Sequence, residues 1–189
     1  MIRKIFFPGS FSPFHDGHYQ LIKQFINIKD AEIIIIISSK NRENIETNKI
    51  YDFIKSIFKD YKNVSVVISE NSPIQYVYEH TVEDKNVIYS LIRSNKNNDD
   101  IVMQQYYNCF YKGGAFYNKN ITVEELTADY NPIKYNDSHN NDYISGTNIR
   151  KDLSDKNYKN FKCGYELMLN EHVTSEYLLK KFYDNLINE

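Results

Sequence analysis

Two histidines three residues apart, His15 and His18, follow Pro8-Gly9-Ser10-Phe11-Ser12-Pro13-Phe14 and enclose Asp16-Gly17. A helix that opens beside them brings both rings to one side of its N-terminus, where each can donate an N–H to a phosphate oxygen. The open amides and the positive dipole end of such a helix attract an anion to the same place. Gly9 can take backbone angles closed to other residues and so let a phosphate approach the main chain. Gly17 keeps the space between the rings clear of a side chain. A histidine pair can also bind a metal, but no third ligand of the right kind lies nearby, so no metal site is expected. Late in the chain, Ser145-Gly146-Thr147-Asn148-Ile149-Arg150 opens another helix. Ser145 and Thr147 are N-cap candidates whose neighbouring amides point outward, and Arg150 adds a cation one turn later. Taken alone, that segment is a capped helix. Together the two segments offer binding and neutralisation of phosphate.

Strands and helices must hold these turns. Ile2 to Phe7 is an apolar, β-branched and aromatic run stopped by Pro8-Gly9, a strand followed by a breaker. Gly17 to Ile28 places Leu21, Ile22, Phe25 and Ile28 on one side of a helix. Ala31 to Ser38 is an isoleucine run, the pattern of a strand buried on both faces of a parallel sheet. Helical period returns from Asn48 to Tyr61. Further strands are expected from Asn63 to Ser69, Asn86 to Leu91 and Ile121 to Leu126. Helices are expected from Pro73 to His80 and Asp99 to Tyr111. Thr127 to Tyr143 is polar and irregular, and Tyr130 to Tyr143 is the best candidate for a mobile loop. Thr147 to Leu153 opens a helix, and Ser175 to Leu186 closes the chain as an amphipathic one. Strands alternating with helices require βαβ crossovers. The expected fold is α/β, Rossmann-like and doubly wound, with a mostly parallel five-stranded sheet, helices on both faces and a C-terminal helical extension. Residues 1–153 form the expected core and 154–189 an extension packed on it, within a single domain.

The composition excludes several classes. The net charge of −2, from 23 basic and 25 acidic residues, gives no field for a nucleic acid polymer. Cys109 and Cys163 lack CxxC spacing and read as reduced thiols. The longest apolar run, Ile33 to Ile37, is too short to span a bilayer, and no signal region precedes the first strand. A cytoplasmic protein with no membrane partner is expected, and a homo-oligomer is compatible with the composition.

Gly9 to His18 resembles the G-x-F-x-P-x-H-x-G-H signature of the nucleotidylyltransferase superfamily, which includes nicotinamide-nucleotide and phosphopantetheine adenylyltransferases and small cytidylyltransferases. Ser12 stands where many members have Asp or Asn, next to the acceptor. Ile144 to Arg150 is similar to the I-S-S-T-x-I-R motif of the adenylyl branch, with Gly146 for the second Ser. Ile92 to Asp100 is similar to the V-R-G-x-R-x-x-x-D segment of phosphopantetheine adenylyltransferases, with Lys96 for the second Arg; a solvated charge cluster has the same composition. The resemblance implies nucleotide contacts from Gly9, Ser10, Phe11, Gly17, Arg93, Ser145, Gly146 and Thr147. It implies acceptor contacts from Ser12, Lys96 and the cations Lys40 and Arg42 after the second strand. It also implies His15, His18 and Arg150 as the catalytic set, with Mg²⁺ carried mainly on the nucleotide phosphates. The expected activity is transfer of AMP from ATP, or of another NMP from its NTP, to a small phosphorylated acceptor such as a pyridine mononucleotide. The alternatives are a cytidylyltransferase acting on a phosphorylated alcohol and an inactive nucleotide-binding protein.

Overall fold

The computed structural model describes residues 1–43, 45–94, 100–134 and 143–188. Strands β1 (Ile2–Gly9), β2 (Ala31–Ser38), β3 (Val64–Ser69) and β4 (Val87–Ser94) form a parallel sheet in the order β3-β2-β1-β4. Two short parallel strands, β5 (Thr122–Val123) and β6 (Leu126–Ala128), line the outer edge of β4. The crossovers from β1 to β2 to β3 step one way; the chain then returns to place β4 on the other side of β1. At such a reversal the two connections leave in opposite directions and open a crevice at the carboxyl ends of the strands. Here those ends are Gly9 and Ser94.

Side chains alternate along the strands and build one core on each face. Ile5, Phe7, Ile33, Ile35 and Ile37 join α1 (Asp16–Lys23), α2 (Thr47–Ile57) and the C-terminal helices. Phe6, Ile36, Tyr89 and Leu91 join α3 (Pro73–His80) and α4 (Asp100–Phe110). The isoleucines of β2 are thus covered on both sides, which is why their run lacks alternation.

The strand expected at 121–126 is divided. β5 pairs with β4 at Ile88 and Tyr89, and β6 pairs with it from Ile92 to Ser94. In the interval, the Tyr107 hydroxyl accepts the Leu91 amide and donates to the Leu91 carbonyl, both at 2.9 Å. The side chain from α4 supplies the bonds that an unbroken edge strand would have made. β6 also extends β4 beyond the expected Leu91, to Ser94. Helix α1 ends at Lys23, short of the expected Ile28, and Phe25 and Ile26 stay buried in the turns that follow.

Beyond α5 (Gly146–Ser154) come α6 (Tyr158–Cys163), α7 (Glu166–Asn170) and α8 (Glu176–Ile187). Phe182 of α8 stacks on Phe53 of α2 with ring centroids 3.9 Å apart, and α5 packs on both α6 and α8. Cys109 and Cys163 are free thiols. Among the described residues no helix is long and apolar enough to cross a membrane. Lys96 and most of the expected loop from Tyr130 to Tyr143 lie outside the described residues.

Candidate active site

β1 carries the chain to the crevice, and α1 starts there with His15 as its N-cap. His15 Nδ1 accepts the Gly17 amide at 3.1 Å, and His18 Nδ1 accepts the His15 amide at 3.3 Å. The pair is a reciprocal capping box built from two imidazoles. A ring nitrogen that accepts has no hydrogen, so each neutral imidazole carries its hydrogen on Nε2. The fold therefore fixes both histidines as Nε2–H donors, with ring centroids 3.9 Å apart. A Cβ on Gly17 would lie 2.8 Å from His15 Cε1, so glycine is needed for the ring to fold over the helix start.

Phe11 and Phe14 brace His18, the first edge-on at 5.1 Å and the second stacked at 5.5 Å between centroids. Asp16, between the histidines, is fully buried, and its carboxylate accepts the amides of Leu167 at 2.7 Å and Met168 at 3.1 Å. Burial pushes its pKa up to about 7; the two amides oppose the rise, and the charges of Glu166 and Glu171 add to it.

The second wall is the start of α5. Ser145 is its N-cap, with Oγ accepting the Asn148 amide at 3.2 Å. Arg150 reaches from α5 to the histidine turn and donates to the Ser12 carbonyl at 2.8 Å. It also donates to Glu43 at 2.7 Å and to Thr147 Oγ1 at 3.3 Å. A Cβ on Gly146 would lie 3.0 Å from the guanidinium, so the glycine leaves room for this reach. Arg150 thus ties the two phosphate-binding candidates together.

Residues 6–152 match the cytidylyltransferase-like family. The chain belongs to that family. Among its relatives is a phosphopantetheine adenylyltransferase of Mycoplasma capricolum, 27% identical over 125 residues, which cover 66% of this chain and 84% of the relative. A protein of that name from Flavobacterium psychrophilum is 38% identical over 74 residues, 39% of this chain and 49% of the relative. The solved structure of Plasmodium falciparum nicotinic acid mononucleotide adenylyltransferase complexed with APC superposes over 100% of both chains, with a TM-score of 0.52 and 12% identity. That likeness shows the fold.

Several expected site residues stand differently from their sequence reading. Gly9 has no left-handed backbone; a Cβ there would lie 2.8 Å from the Phe11 ring, so packing accounts for the glycine. Phe11 itself takes the positive φ, 47°, and turns its ring into the core, where it supports His18. The Ser12 hydroxyl donates to the Ser10 carbonyl at 3.0 Å and closes the turn. Arg93 lies within β4, and its guanidinium donates to Gln104 at 2.9 Å and Glu125 at 3.0 Å. Side-chain alternation puts it on the α4 face, whereas the histidines belong to the α1 face. Lys40 and Arg42 are exposed in the connection from β2 to α2. Ser10 stays exposed at the turn, and Thr147 at the start of α5.

A hollow of about 250 Å³ at the ends of β1 and β4 is lined by Gly9, Ser10, Phe11, His18, Ser94 and Met103. A neighbouring hollow of about 390 Å³ shares Gly9 and Ser10 and extends to Ser38 and Pro73. Another hollow, about 1070 Å³, lies between the end of α2 and residues 169–178 and includes none of the expected site residues. The sequence reading missed Ser94, Met103, Glu43 and the role of Asp16. Ser94 had one available signal, its place at the end of a strand beside the reversal. Glu43 had none, because nothing in its neighbourhood reveals that it faces Arg150.

Proposed function

We propose that this protein transfers AMP from ATP to a small phosphorylated acceptor and releases pyrophosphate. The observation that carries the reading is the reciprocal capping by Nδ1 of His15 and Nδ1 of His18 at a helix start, which assigns the ring hydrogens to Nε2. Two Nε2–H donors at the start of a helix whose dipole favours an anion suit a phosphorus centre whose oxygens gain charge during transfer. An acceptor phosphate oxygen attacks the α-phosphorus in line and forms the new P–O bond. The bond from the α-phosphorus to its bridging oxygen breaks, and pyrophosphate leaves with the electron pair. The acceptor phosphate is ionised at neutral pH, so no general base is required. His18 and His15 stabilise the charge that develops, and Arg150 with the amides beside Thr147 holds the β- and γ-phosphates.

The chain's groups at the turn are donors, and the nearest carboxylate in sequence, Asp16, faces the amides of α7. Among the described residues no cluster of three His, Cys, Asp or Glu could hold a metal ion. Mg²⁺ would enter with the triphosphate, whose phosphates His15, His18 and Arg150 would hold. When bound, the ion offsets phosphate charge.

The sequence relatives support phosphopantetheine as the acceptor to test first. Lys40 and Arg42, beside the crevice, are the cations we assign to its phosphate. Pyrophosphate release is measured with each of the four NTPs against phosphopantetheine, nicotinate mononucleotide, nicotinamide mononucleotide and glycerol 3-phosphate. ATP with phosphopantetheine is expected to be fastest. Release with CTP and glycerol 3-phosphate alone would replace this reading with the cytidylyl one, and tight nucleotide binding without release would make the protein a binding module.

A further inference from the structure

Asp16 is a costly choice for its position. It is fully buried, and burial disfavours its ionised form. Its carboxylate does the work of an N-cap for a helix it does not belong to. The N-cap of α7, Tyr165, makes no side-chain cap hydrogen bond, and Asp16 instead accepts the amides of Leu167 and Met168. The Asp16 amide donates in return to the Gly164 carbonyl at 2.9 Å. Three hydrogen bonds thus fasten the residue between the two histidines to the segment 164–168.

The same segment touches the other wall. A Cβ on Gly164 would lie 2.7 Å from Ile149 Cδ1, so backbone and side chain are in close contact there. Ile149 is fully buried and immediately precedes Arg150. One short piece of the C-terminal extension is therefore in contact with α1 beside His15 and His18 and with α5 beside Arg150. We infer that Gly164–Met168 is a bracket that sets the histidine pair against the Arg150 helix, with Asp16 as its positioning residue. A neutral Ser or Asn would cap α7 at less desolvation cost. An ionised carboxylate can hold both amides at once, whereas its protonated form has one good acceptor oxygen left. The bracket is therefore tight above the Asp16 pKa and loosened below it. The charged and titratable groups around Asp16 are Glu166 and Glu171 on the α7 side and Tyr19, His15 and His18 on α1.

The inference rests on adenylyl transfer for its kinetic readout, but not for its spectroscopic one. Asp16→Asn imitates the protonated residue. At about pH 8 it should lower kcat by about 10-fold while the KM for ATP stays within about two-fold, the pattern of misplaced transition-state donors. Wild-type kcat should fall as pH drops through about 7, and the variant should lack that limb. Ring ¹⁵N NMR of His15 and His18 should show the Nε2–H tautomer in the wild type at high pH and a mixed pattern in Asp16→Asn. If the variant does not fold, hydrogen-exchange protection of the Leu167 and Met168 amides in the wild type carries the test: protection corrected for intrinsic exchange should fall as pH drops through about 7, and protection that does not change would overturn the bracket. A folded Asp16→Asn with unaltered kcat and ring spectrum would overturn the bracket. Survival of the acid limb in the variant would do the same, by assigning it to another of the groups named. An altered ring spectrum in a protein that shows no pyrophosphate release would sustain the bracket and remove the proposed activity.

Discussion

His18 uses its two ring nitrogens for different ends. Nδ1 closes the cap of α1 by accepting the His15 amide, and that bond leaves Nε2 as a donor. His18→Ala should lower kcat by about two to three orders of magnitude, as for a lost charge-stabilising donor, in a variant with near-native circular dichroism. Turnover close to wild type would exclude the role. Arg150 is a second case, since in this structure Glu43 and the Ser12 carbonyl share its guanidinium. Arg150→Ala should raise the KM for ATP more than that for the acceptor. Glu43→Gln, which removes a competing anion, should lower the KM for ATP by about two-fold to five-fold, the scale of a partly exposed ion pair. A selective effect of either on acceptor affinity would mean that the two substrates have been placed the wrong way round. Asp16 also affects stability. Its carboxyl has a pKa of about 7 in the fold against an ordinary 3.8, so between those values the native state holds a proton that the unfolded state has lost. Stability from this source is full below the lower value and is lost as pH rises through the upper one. Urea midpoints of wild type should therefore fall over that range relative to those of Asp16→Asn; parallel curves would contradict the shift. The histidine pair was legible because residue type, spacing and a preceding strand all agreed. The work of Asp16 was not, because its partners lie 151 and 152 residues away and an Asp in the first turn reads as a complement to the helix dipole.

At the scale of elements, period decided what could be read. The strands β1 to β3 and the helix α3 follow runs whose composition and spacing allow one structure, and α3 has the expected bounds, Pro73–His80. The division of β5 from β6 had no local signal, because it depends on Tyr107 reaching from α4 to the Leu91 backbone. The pair α6 and α7 has too few turns to show a period, and caps alone mark their starts. Tyr107→Phe tests the edge. It leaves the buried Leu91 amide and carbonyl without that partner and should cost about 1–3 kcal/mol in a urea titration. A midpoint unchanged from wild type would mean that β5 and β6 support Leu91 without the hydroxyl. Activity should suffer less than stability, since Tyr107 belongs to the core on the α3 and α4 face, whereas the histidines rest on the other.

Across the whole molecule, the reversal of strand order places the histidine turn, and the C-terminal helices close over the same face of the sheet as α1 and α2. Sequence reading separated 1–153 from 154–189 because recognisable motifs end there. We propose that the two parts fold as one unit, since Asp16, Ile149 and Phe53 each have partners in the extension. We propose that the crevice joins the α-phosphate of ATP to an acceptor phosphate without a covalent enzyme intermediate. The direct measurement follows α-labelled ATP with Mg²⁺ and phosphopantetheine, separating the acceptor adduct, free AMP and protein-bound label while pyrophosphate is counted. The expected result is label in the adduct, one pyrophosphate for each adduct formed, and none bound to protein. Label retained on the protein, or released as AMP with no adduct, would contradict it.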